Sequence, residues 1–163
     1  MADVVVVSAH WGTENSYKLT ETQTQLSQKM VDWGADIIFG NHPHVVQQLT
    51  VLTRSDGTKC PVIYSMGNLV STMQLGDDMV SGLLTVTMTK NFETNKTTFT
   101  NMKFTPTVTQ YEAHATNVSI YPLSEYSDAL AKQHGIRKFT PEFSMQFIRN
   151  ILKKSIPEQY LAS

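Results

Sequence analysis

The chain has 163 residues, 40% of them hydrophobic and 17% charged, a balance that suits a packed core and excludes a disordered chain. Its formal net charge of -1 leaves no electrostatic footprint for nucleic acid, and no such partner is expected. A single cysteine, Cys60, excludes an internal disulfide and a paired-cysteine metal site, and no stretch is long and apolar enough to cross a bilayer.

Met1-Ala2-Asp3 runs straight into a strand without a leader sequence, which reads as a truncated start. Val4 to Val7 is a β-branched run of the kind expected in a strand covered on both faces. After a polar loop from His10 to Leu19, Thr20 and Gln23 form a capping box that opens a helix. Leu26, Met30 and Trp33 recur along it at helical spacing, and Gly34 stops it. Ala35 to Phe39 is a second buried strand, so the first 40 residues predict a βαβ unit with parallel strands.

Val45 to Thr53 and Cys60 to Ser65 read as two strands joined by Ser55-Asp56-Gly57-Thr58, with Cys60 a buried structural thiol. Leu83 to Met88 and Thr97 to Phe104 alternate as strands about a turn at Asn91 to Asn95, and the acidic Gly76-Asp77-Asp78 reads as a loop before a strand. Two helices close the chain. One is expected from Ser124 to His134, ended by Gly135. The other has Thr140 as N-cap, Pro141 at its first position, and Phe143, Phe147, Ile148 and Ile151 on one face. Lys153-Lys154 reads as a solvated face.

Chemistry concentrates in two loops that leave the C-terminal ends of the predicted parallel strands, where sites form in open α/β sheets. The first is Ser8 to Glu14 with His10; the second is Gly40 to His44 with His42 and His44. Pro43 is expected to push His42 into an extended conformation, so that the two imidazoles, two residues apart, face the same way. Gly40 is expected to let the strand end turn sharply. Neutral imidazole suits manganese, zinc or iron. Spacing alone leaves a metal pair and a chance pair both open, and His10 on the neighbouring strand favours the metal. His114 and His134 read as ordinary histidines, His134 partly cationic at a helix C-terminus. Tyr64-Ser65-Met66-Gly67 lacks the flanking glycines of a nucleophile elbow.

Three motifs, His10-Trp11-Gly12-x-Glu14, Gly34-Ala35-Asp36-Ile37-Ile38-x-Gly40-x-His42-Pro43-His44-Val45-x-Gln47 and Tyr64-Ser65-x-Gly67-Asn68, occur in this order within Ala2 to Val70. Together they resemble the bacterial CapA family of capsule-synthesis proteins, part of the calcineurin-like metallophosphoesterase superfamily. The resemblance implies the C-terminal portion of an α/β, two-sheet sandwich with flanking helices. In it the βαβ unit is followed by a strand-rich tail and two C-terminal helices (residues 124–163), the N-terminal half of the domain being absent. It implies divalent metal ions (Mn, Zn or Fe), with His10 and His42 on one metal and His44 on the other.

Glu14 is assigned a catalytic second-shell or proton-transfer role, with a plain surface-loop role as the alternative. Trp11, Asn41, Tyr64 and Asn68 are assigned to substrate binding, Tyr64 alternatively to the core. The superfamily's carboxylate ligands lie in motifs that this chain lacks, so an incomplete site and a poorly active fragment are expected. The implied function is poly-γ-glutamate capsule synthesis or export through a phosphoester hydrolase at the cell envelope or outside the cell. A non-catalytic polymer-binding accessory module is the alternative. The expected partners are a capsular polymer or phosphoester, the missing half of the domain, and a second copy of the chain.

Overall fold

The computed structural model describes residues 2–162. Two sheets and a few helices make up an α/β fold. The first sheet holds β1 (Val6–His10), β2 (Ile37–Asn41), β3 (Leu49–Thr53) and β4 (Lys59–Ile63) in the order β1-β2-β4-β3. β1, β2 and β4 are parallel, and β3 runs back against β4 as a hairpin. The second is an antiparallel meander of β5 (Val80–Asn91), β6 (Lys96–Glu112) and β7 (Thr116–Pro122).

Helix α1 (Glu21–Asp32) joins β1 to β2 and begins where the capping box places it. The Thr20 Oγ1 accepts the Gln23 N–H at 3.1 Å, and the Gln23 Oε1 accepts the Thr20 N–H at 2.9 Å. Its inward stripe differs from expectation. Gln23, Ser27 and Val31 are buried, whereas Trp33, the C-cap residue, is 75% exposed. Polar side chains can line this face because each finds a partner, Ser27 at the Tyr64 hydroxyl (2.9 Å) and Gln23 at Gln47 (2.8 Å). β1 is also less covered than its β-branched run suggested. It is an edge strand, and Val5 and Val6 are exposed.

Cys60 is wholly buried on β4, and burial pushes its thiol up to about 12, which leaves it inert as a nucleophile. The hairpin turn before it closes through Arg54 and Thr58, and Val46 contributes only an isolated bridge to Met66 where a longer strand was expected. β5 and β6 extend well beyond the alternating segments seen in the sequence, and β7 was not foreseen.

The C-terminal helices shift too. The expected helix from Ser124 resolves into a short 3₁₀ turn (Leu123–Glu125) and α2 (Asp128–Gln133). α3 (Met145–Ser155) starts at Ser144, whose hydroxyl accepts the Phe147 N–H. Thr140 instead accepts the Gly76 N–H at 3.0 Å. Three residues of turn separate the real cap from the expected one, because Thr140 is spent on a long-range bond.

One core joins both sheets and the helices. Val46, Leu49 and Ile63 meet Met79, Val80, Phe104 and Val108, and α3 closes over them with Ile148, Ile151 and Leu152. Residues 124–162 are therefore part of the body and not a tail upon it. A second cluster under α1 holds Trp11, Val31, Ile38, Val62 and Tyr64.

Candidate metal centre

β1 and β2 end level with one another, His10 standing opposite Asn41 in the ladder. The loops beyond them are sewn together by backbone bonds from Trp11 N–H to the Asn41 carbonyl (3.1 Å) and from Asn15 N–H to the Pro43 carbonyl (2.8 Å). A buried amide relay supports them from below. Gln23 donates to the Gln47 Oε1 (2.8 Å), and Gln47 donates to the Ser16 carbonyl (2.7 Å).

The His42-Pro43-His44 segment is not extended. His42 has φ 100° and His44 φ 64°, so both candidate ligands sit in the left-handed region on either side of a proline. Non-glycine residues held there cost on the order of 1–3 kcal/mol each and persist where surrounding contacts dictate them. Here the Asn15–Pro43 bond and the Gln47 relay hold the strained turn. The extended conformation expected of His42 before Pro43 is overruled by these tertiary bonds.

The rings nevertheless collect in one place. The His10 and His42 ring centroids are 4.5 Å apart, and those of His42 and His44 6.1 Å. His44 Nδ1 lies 2.8 Å from the Asn68 Oδ1, while the Asn68 amide nitrogen faces Ser71 and Met73. Asn68 thus presents an acceptor, the proton sits on Nδ1, and the lone pair of His44 is left on Nε2. That nitrogen is 3.9 Å from the Glu14 Oε1.

One ligand atom each from Glu14, His42 and His44 lie within 4.8 Å of one another. Two imidazoles and one carboxylate suit a single zinc, manganese or iron(II) ion, so the residues present fit a divalent metal. The sequence placed Glu14 at the site in a proton-transfer or surface-loop role; the structure sets it at ligand distance from His42 and His44. His10 stands beside this group, next to His42, but outside it among the described residues.

Two of the assigned substrate-binding residues belong elsewhere. Trp11 and Tyr64 are 8% and 3% exposed, stacked at 5.7 Å, with the indole N–H donating to the Tyr64 carbonyl (2.9 Å). Their polar atoms are satisfied inside the core, the alternative given for Tyr64. Asn68 is a positioning residue for His44, and Asn41 stays half-buried at the β2 end.

Residues 1–73, which hold these strand ends and loops, match the family described as "Bacterial capsule synthesis protein PGA_cap". Over 69 residues the chain is 46% identical to the capsule biosynthesis protein CapA of Bacillus anthracis and, equally, to the PGA biosynthesis protein CapA of Bacillus subtilis. The matched stretch is 42% of this chain and only 16% and 17% of those two relatives.

Proposed function

We propose that the chain supplies a divalent-metal site to a capsule-biosynthesis protein of the cell envelope, acting on a phosphoester linked to poly-γ-glutamate production or export. The observation that carries this reading is the grouping of Glu14, His42 and His44, with the His44 Nε2 freed by Asn68. The resemblance to CapA proteins and, beyond them, to metallophosphoesterases supports the choice of polymer and reaction. A bound ion would act as a Lewis acid and ionise a water molecule. The chain's own part is to fix the His44 tautomer through Asn68, to hold the His42-Pro43-His44 turn through Asn15 and Gln47, and to offer Glu14, whose side chain is 61% exposed, toward an incoming ligand.

Calorimetric titration with manganese(II) tests this. The wild-type chain is expected to bind one ion. Asn68→Ala should weaken binding by roughly 10–100-fold, the range for loss of an outer partner, and His44→Ala should weaken it further. Equal affinity in wild type and His44→Ala would remove the proposed site. Hydrolysis of an activated aryl phosphodiester is expected to be slow, because further carboxylate ligands of the superfamily are not in this sequence. Fast turnover abolished by His42→Ala would show that these residues alone make a working centre.

The expected self-association would run along the open edge of β1, where Val5 and Val6 lie exposed. Light scattering should show an oligomer at tens of micromolar for wild type and a monomer for Val6→Lys. A monomer in both sinks the idea.

A further inference from the structure

The one-turn 3₁₀ helix Gly76–Met79 lies just beyond the stretch that matches the capsule-synthesis family, and it is fastened on two sides. The Gly76 N–H donates to Thr140 before α3, and the Tyr17 hydroxyl, from the loop that carries Glu14, donates to Asp77. Directly after these anchored residues Asp78 is wholly buried, and neither of its carboxylate oxygens has a hydrogen-bond partner. The titratable groups that act on it are His44, Asp77 and Glu14; no lysine or arginine is among them. A buried carboxylate without a hydrogen bond, beside two other carboxylates, is a costly arrangement for a fold to hold.

We propose that Asp78 is the second carboxylate of the metal site: it lies outside the group of mutually close ligand atoms and reaches the cation of Glu14, His42 and His44 through one of its waters. The inference rests on the metal reading given above and extends it to a residue outside the family match. A hydrated divalent cation would satisfy both orphaned oxygens at once and offset the negative charge that Glu14, Asp77 and Asp78 bring together. Oxygen donors also favour manganese or magnesium over softer ions.

The proposal predicts opposite signs for two measurements on the same variants. In metal-free protein, Asp78→Asn and Asp78→Leu should melt at the wild-type temperature or above it, since each removes an uncompensated buried charge. In manganese(II) titrations the same variants should lose about 10-fold or more in affinity. His44→Ala run in parallel separates the two levels of the argument. If His44→Ala abolishes binding while both Asp78 variants keep wild-type affinity, Asp78 has no part in the site although the site itself stands. If wild type binds no manganese, both readings fall together. If both Asp78 variants fail to fold without metal, the carboxylate has a structural partner and the inference is overturned.

Discussion

Replacing Gly40 with alanine is expected to cost more than about 3 kcal/mol, beyond the usual range for an overpacked core, and to leave little folded protein. A Cβ built at Gly40 would lie 2.0 Å from the Tyr64 carbonyl oxygen and 2.6 Å from the Trp11 indole nitrogen. The first is backbone of the segment after β4, and the second is a buried ring held by its own hydrogen bond, so neither can yield cheaply. Gly40 is therefore needed for close approach between strand ends, and not for the sharp turn expected of it. Thermal melting followed by circular dichroism checks this. A Gly40→Ala chain that melts with wild type would show that β2 and β4 have slack where none is visible.

The second large effect concerns His134. Its Nδ1 accepts the Ile136 N–H (3.0 Å), so Nε2 carries the proton and donates to the Thr109 carbonyl (2.8 Å). The ring is 2% exposed and stands edge-on to Tyr111 and Phe143. Burial lowers its pKa from 6.5 to about 4, with the Thr109 bond opposing only in part. The ring is thus neutral, where a partly cationic histidine at a helix end was expected. A folded-state pKa below the unfolded one means that the unfolded chain binds the proton first. The contribution of His134 is therefore complete above pH 6.5 and drains away as pH falls toward 4. The stability advantage of wild type over His134→Phe should shrink by about 3 kcal/mol across that interval, at 1.36 kcal/mol per pKa unit. Proton NMR should show the ring neutral until about pH 4. A midpoint near 6.5 would mean that the pocket admits water.

Local signals in the sequence carried the N-terminal part of the fold. The capping box at Thr20, the stop at Gly34 and the two β-branched runs are short-range features whose physics is complete within a few residues. The expectations that fell are those that tertiary bonds overrule. Thr140 could have capped a helix, but Gly76 claimed its hydroxyl. Pro43 could have extended His42, but bonds from Asn15 and Gln47 hold the loops around a left-handed turn. Trp11 and Tyr64 were assigned to substrate binding, Tyr64 with the core as its alternative, because aromatic side chains serve pockets and cores alike. Only packing shows that these two face each other. At the site, the motifs marked the histidines and Glu14. The orphaned oxygens of Asp78 could not be foreseen, because burial of a carboxylate leaves no mark in a linear pattern.

The closure of α3 over the core bears on how the chain is made. The Ser155 Oγ, in the last turn of α3, donates to the Val46 carbonyl at 2.6 Å, two residues from His44 and 109 residues away along the chain. At a synthesis rate of about 5–20 residues per second, the strand and loop containing His42 and His44 leave the ribosome roughly 5–20 seconds before the segment that seals them. During that interval the underside of the histidine turn, Val46 and Leu49 included, has no lid and exposes apolar surface to the cell. A metal ion arriving then would meet histidines whose geometry is not yet enforced. The window for capture by chaperones, and on the proposed metal reading for mis-metallation, thus opens with β2 and closes only with α3.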